Sequence, residues 1–182
     1  MRPEALIVVI AGLHGVGKSV LSKALAERFG LRRVSAGEMF RRMARERGED
    51  ITSFSESASR DESIDREIDV KVVQEALKGG VVVDSLLAAW FLKEKAHIKV
   101  YLKAPLEERV KRIAMRDGKS VEEAKRETLI RETSERDRFK RYYGVDIDDL
   151  SVYDLVINTS LADEESLKRA LIQIVEGYLK TH

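Results

Sequence analysis

The sequence contains no cysteine. A disulfide framework, a thiolate metal site and a cysteine nucleophile are excluded together. Its two prolines, Pro3 and Pro105, leave a long stretch free of the strongest helix breaker. One asparagine (Asn158) and two glutamines (Gln74 and Gln173) stand against a charged fraction of 36%. Many charges with few thermolabile amides resemble a thermophile's bias. The formal net charge is only +1, so no excess of one sign suits a nucleic acid or an anionic membrane. No stretch approaches the roughly 20 apolar residues of a membrane helix. The short apolar run at 5–11 leads into a glycine-rich segment rather than a cleavage site, so no signal peptide is expected. The chain therefore reads as cytoplasmic, with small molecules as partners and a monomer favoured. Asn158-Thr159-Ser160 matches a glycosylation sequon that should stay silent there.

The glycines, by contrast, are placed tellingly. Gly12-Leu13-His14-Gly15-Val16-Gly17-Lys18-Ser19, followed by Val20, spells G-x-x-x-x-G-K-S. It sits between the apolar run 5–11 and a helical pattern carrying Leu21, Leu25 and Phe29. Strand, loop and helix in that order are the context in which this motif cradles a polyphosphate. Glycines let successive N–H groups turn inward, and the helix start adds its positive dipole end. Lys18 can reach the terminal phosphates, and the Ser19 hydroxyl can hold Mg²⁺. ATP binding is expected along residues 12–20.

Strands are read at 5–11, 32–35, 81–84, 97–102 and 153–157, each short and rich in Val, Ile or Leu. Such runs suit a parallel sheet buried on both faces. Helical patterns alternate with them. Leu106, Val110 and Ile113 form one stripe; Leu167, Leu171, Ile174 and Tyr178 form another. The fold class expected is α/β: a three-layer, doubly wound domain on a five-stranded parallel sheet, with 1–182 as one domain. Residues 36–78, with a break at Gly48, and 105–143, with a break at Asp117-Gly118, exceed what crossover helices need.

Candidate residues gather near the strand ends. Asp84 closes Val81-Val82-Val83, a position that faces ligand in open α/β sheets. It could organise Mg²⁺ with Ser19 or touch the acceptor. Ser35 with Glu38 reads as a capping box, and Ser35 also lies at a strand's ligand edge. Arg41, one turn on, could aim at a phosphate. Residues 109–141 carry twelve Lys or Arg against seven Asp or Glu. Phosphoryl transfer needs cations over the migrating group. Arg116 and Arg131 are the catalytic candidates beside Lys18, and Arg138 is an acceptor candidate. Arg112 and Arg136 are weaker candidates. Ser120 with Glu123 reads as a second capping box. His14 is assigned no chemistry.

Four segments together resemble the archaeal type of cytidylate kinase. They are Gly12 to Ser19, Val34-Ser35-Ala36-Gly37-Glu38-Met39-Phe40-Arg41, Ile64-Asp65-Arg66-Glu67-Ile68-Asp69, and Tyr143 through Thr159. The resemblance implies a nucleoside monophosphate kinase fold. An NMP-binding insert would occupy 36–78 and a lid 109–141. It also implies transfer of the ATP γ-phosphoryl group to CMP or dCMP with Mg²⁺. Two positions depart from the family pattern. Asp84-Ser85-Leu86 stands where Glu-Gly-Arg is usual, and Thr133 where an Arg is common. Leu86 cannot bind a phosphate, so a kinase for another small acceptor and a non-catalytic ATP-binding paralogue stay open as alternatives.

Overall fold

The computed structural model describes residues 3–182. Five strands form one parallel sheet: β1 (Ile7–Ala11), β2 (Arg32–Ser35), β3 (Val81–Asp84), β4 (Ile98–Lys103) and β5 (Leu155–Asn158). Their order is β2-β3-β1-β4-β5. Each expected strand is present within two residues of its expected ends. Alternation along β1 explains the layering. Ile7, Val9 and Ala11 face one apolar cluster, while Leu6, Val8 and Ile10 face the other. A strand buried on both faces has no polar side, which is why it reads as a continuous apolar run.

Eight helices surround the sheet: α1 (Lys18–Phe29), α2 (Ala36–Glu46), α3 (Ile51–Arg60), α4 (Glu62–Ala76), α5 (Ala88–Phe91), α6 (Leu106–Asp117), α7 (Val121–Tyr143) and α8 (Glu164–Thr181). Leu21 and Leu25 of α1 and Leu171 and Val175 of α8 cover one face. Phe54 of α3 and Ile64, Ile68 and Val72 of α4 cover the other. In α8 the buried stripe uses Val175 where the sequence pattern points to Ile174, which is 38% exposed. Spacings of 3 and 4 both return to one helix face, so the pattern alone cannot choose between the two.

Gly48 and Gly118, both with positive φ, end α2 and α6 at the expected breaks. Ser35 and Ser120 accept hydrogen bonds from the Glu38 and Glu123 amides at 3.3 and 3.2 Å. Each satisfies one orphan donor of a helix start. Glu38 does not return the favour: it accepts from Arg33 at 2.7 Å. Val110 and Ile113 of α6 pack on Ala124 of α7, away from the sheet. The pair α6–α7 forms a charged arm over the strands' C-terminal ends.

Two loop glycines separate strain from collision. Gly15 (φ 78°) lies so close to α6 that a Cβ would stand 2.5 Å from the Arg109 carbonyl oxygen. Gly17 (φ 95°) opens α1 in the left-handed region, with no atom within 4 Å of a built Cβ. A left-handed alanine costs about 1–2 kcal/mol, and a packing collision adds about 1–3 kcal/mol. Gly15→Ala should therefore lower the free energy of urea unfolding by roughly 2 kcal/mol more than Gly17→Ala. Equal midpoints for the two variants would show that the loop does not press on α6.

Candidate active site

The C-terminal ends of β1, β2 and β3 bring Gly12, Ser35 and Asp84 to one edge of the sheet. That is where open α/β sheets bind ligands. A cavity of about 650 Å³ opens there, lined by loop residues Gly12, His14 to Ser19 and Val20, by Ser35 and Arg41, by Asp84, and by Arg112, Arg116, Arg131 and Arg138. Leu13 points elsewhere, packing with Leu87 and Phe139.

Lys18 lies folded across its own loop. Its Nζ donates to the Gly12 and Leu13 carbonyl oxygens at 2.6 and 3.0 Å. Burial lowers its pKa, opposed by Asp84 and Glu135. Beside it, the Ser19 hydroxyl donates to Asp84 Oδ2 at 3.1 Å. Asp84 is almost wholly buried and also accepts from Arg33 Nη2 at 2.7 Å. Arg33 in turn donates to Ser22 at 2.8 Å. Hydroxyl and carboxylate oxygens are the ligands a hard divalent cation takes. Among the described residues no three carboxylates or imidazoles gather as a metal cage.

The loop is braced from behind. Arg109 of α6 and Glu132 of α7 form a buried ion pair. Arg109 donates to the His14 carbonyl at 2.9 Å, and the His14 amide donates to Glu132 at 3.2 Å. The His14 ring stands 2.9 Å from Glu135. Burial lowers the His14 pKa, opposed by the charge of Glu135. Burial opposes the charge on Glu135, yet His14, Arg131 and Arg138 hold it down to about 2.

Cations converge on the cavity from three directions. Arg41 of α2 and Arg131 of α7 line it, and neither makes a hydrogen bond or ion pair within the described residues. Arg116 lines it too, held by Asp117 at 2.7 and 2.8 Å. The pKa of Arg41 is lowered, first by burial and then by the nearby charge of Arg116. Arg112 bridges the arm to the chain after β5, donating to Thr159 Oγ1 at 2.9 Å and to its carbonyl at 3.1 Å. Arg136 turns outward to Asp148 at 3.0 Å, and Thr133 is exposed; neither lines the cavity.

Elsewhere along the cavity, Asp65 of α4 meets Arg138 of α7. Arg138 is fully buried and donates to Ser55 and Ser134 at 3.0–3.1 Å. Its Nε lies 2.8 Å from Asp65 Oδ2 as an ion pair. Its guanidinium rides over Phe40 and Phe139, 5.8 and 5.7 Å from the ring centroids. Burial pushes Asp65 up to about 6 and Asp69 up to about 7. Burial also raises Tyr143, beside Asp69. Leu86 forms part of the apolar wall, and its carbonyl accepts from Tyr153 at 3.3 Å.

A model of the cytidylate kinase-like family matches residues 7–161. The chain belongs to that family. It is 46% identical to a cytidylate kinase of Staphylothermus marinus over 96% of this chain and 99% of that protein. A cytidylate kinase of Ignicoccus hospitalis is 47% identical, over 91% and 99%. One from Methanocaldococcus jannaschii is 40% identical, over 96% and 100%. The fold is shared more widely. A shikimate kinase from Acinetobacter baumannii, solved with shikimate, superposes with a TM-score of 0.62 at 19% identity, covering 95% of this chain and 94% of that one.

Within this family member, Lys18, Ser19, Ser35, Arg41, Asp84, Arg116, Arg131 and Arg138 all line one cavity. Sequence reasoning missed Arg33, which holds Asp84, and Arg109 and Glu132, which hold the loop. It also gave no role to the carboxyl groups of Asp65 and Asp69. The spacing of four between those two was a usable signal, because it stacks both on one helix face.

The raised pKa of Asp69 fixes a pH dependence. An unfolded Asp ionises near 3.8 and the folded one near 7, so folding binds a proton between these values. Stability contributed by this group is full below pH 3.8 and falls as pH rises through 7. Asp69→Asn should therefore raise the melting temperature at pH 8, on the order of 1–2 kcal/mol or about 2–8 °C. The gain should vanish by about pH 4. A destabilised variant at pH 8 would mean that Asp69 is ionised and well paired.

Proposed function

We propose that this chain transfers the γ-phosphoryl group of ATP to CMP or dCMP. One observation carries the reading: in a member of this family, Lys18, Arg41, Arg116 and Arg131 line a single cavity at the ligand edge of the sheet. The ATP phosphates lie along residues 12–20, with main-chain N–H groups and the start of α1 facing them. The insert 36–78 holds the monophosphate, and the segment 109–141 acts as a lid. Ser35, Arg41, Asp84 and Arg138 face the acceptor. Leu86 supplies apolar wall instead of a cation, and Arg41, with no counter-charge of its own, is the group available for the acceptor phosphate.

Little covalent chemistry is asked of the side chains. The acceptor phosphate is ionised at neutral pH, so no general base is needed. Arg131 and Arg116 stand over the migrating group and stabilise its spread negative charge. Lys18 exchanges its loop carbonyls for phosphate oxygens. Closure of the arginine-bearing arm excludes water, which would otherwise hydrolyse ATP. Ser19 and Asp84 would hold Mg²⁺; bound there, the ion supplies charge neutralisation on the phosphates. Two protein oxygens suit an ion that keeps water and substrate phosphates as its other ligands. Among the described residues no helix is long and apolar enough to cross a membrane. The setting proposed for the enzyme is the cytoplasm, as a monomer.

Lys18→Ala should lower kcat for CMP by at least about 10²–10³-fold while the melting temperature stays within a few degrees. Arg41→Ala should raise the KM for CMP tenfold or more and leave the KM for ATP unchanged. A coupled assay with ATP, Mg²⁺ and CMP reads both. Near-normal turnover in the Lys18 variant would overturn the assignment.

A further inference from the structure

His14 is the point at which the phosphate loop is joined to the arm α6–α7. Its carbonyl, its amide and its ring each meet a side chain of that arm. The carbonyl accepts from Arg109 at 2.9 Å, and the amide donates to Glu132 at 3.2 Å. The ring Nε2 stands 3.0 and 2.9 Å from the two carboxylate oxygens of Glu135. The two main-chain contacts brace the loop and need no particular side chain. The ring contact is a separate matter, because a phosphate loop binds its ligand through the backbone and asks nothing of this side chain. An ionised carboxylate only accepts, so Nε2 carries the hydrogen between the two groups. His14 and Glu135 have side chains 22% and 15% exposed, and both line the cavity. Water screens such a contact little, and a bond to a charged acceptor is among the stronger ones.

Glu135 lies four residues after Arg131, so the two side chains share one face of α7. Both line the cavity. Arg131 makes no hydrogen bond or ion pair within the described residues, so no contact of its own aims it. Burial opposes the charge on Glu135, while His14 and then Arg131 favour it. The imidazole, the carboxylate and the guanidinium are therefore within electrostatic reach of one another.

We infer that His14 is a positioning residue for phosphoryl transfer: through Glu135 its ring fixes the stretch of α7 that carries Arg131, and so sets that guanidinium over the phosphates. This rests on the transfer reaction of the proposed function, with Arg131 over the migrating group. The loop that holds the phosphates is then also the loop that aims the cation, so donor and cation share one frame. Such a frame matters because a misplacement of about 1 Å costs on the order of 10²-fold in rate.

The test is a double-mutant cycle of His14→Ala and Arg131→Ala, with His14→Gln as the conservative variant, in the coupled assay with ATP, Mg²⁺ and CMP. His14→Ala should lower kcat by about tenfold or more, with KM for ATP changed by less than about threefold. A glutamine amide can donate to Glu135, so His14→Gln should recover most of the loss. Arg131→Ala should lower kcat by about 10²-fold or more. Adding His14→Ala to it should cost less than about twofold further, because the ring acts through that arginine. Losses that multiply, a near-normal kcat in His14→Ala, or a loss confined to KM for ATP overturns the inference. Amide hydrogen exchange of the free protein reads the tie without any reaction: exchange across residues 131–135 should quicken in His14→Ala and not in His14→Gln. Wild type without CMP turnover sinks the proposed function. Equal exchange in all three proteins sinks the tie between loop and helix, whatever the turnover.

Discussion

The buried pair Arg109–Glu132 sets the position of everything that faces the phosphate loop. Arg109 comes from α6 and Glu132 from α7, and both also hold the main chain of His14. One charge pair thus fixes two helices and a loop whose glycines cannot brace themselves. Burying two charges is costly unless each is paired and hydrogen-bonded. Here the loop adds a bond to each partner, the His14 carbonyl to Arg109 and the His14 amide to Glu132, while Arg109 Nε has none. The position of Arg131, one residue before Glu132, follows from the same anchor.

The cavity is divided chemically along its length. At the loop end, cations outnumber their close partners: Arg41 and Arg131 make no hydrogen bond or ion pair within the described residues. The pKa of Arg41 is lowered, first by burial and then by the like charge of Arg116. At the α4 end the excess is of carboxyl groups, and burial holds them partly protonated. Functional sites are where such local conflicts concentrate.

Much of this was legible in the sequence, and for identifiable reasons. Four of the strands are short runs rich in Val, Ile or Leu, β2 (Arg32–Ser35) being the exception, and both capping serines lie where spacing placed them. The loop motif gave Lys18 and Ser19 directly. Charged residues on helices were the blind spot. In α7, Glu132 and Arg138 are buried while Arg136 and Thr133 face outward. Nothing local separates them, since a helix that touches neighbours on several sides buries charges wherever a partner waits across the gap. Arg138 waits on Asp65 and Ser55, 73 and 83 residues away. Arg33 belongs to no motif, because its partner, Asp84, lies on a different strand. Leu86 looked like a loss; in the structure it completes a wall.

The strand order carries a consequence for how the chain is made. β1 is central, yet its two neighbours are β3 and β4. Val9 sits opposite Val83 on one side and Lys99 on the other. During synthesis β1 therefore has no hydrogen-bonding neighbour until β3 (Val81–Asp84) has followed, and lacks its second until β4 (Ile98–Lys103) has. Until then its five buried residues are an exposed apolar segment with two open edges. Pairings this distant in sequence form slowly. The nascent protein passes through a stage in which its phosphate-binding segment exists as sequence without a scaffold, dependent for solubility on the charged helices that surround it.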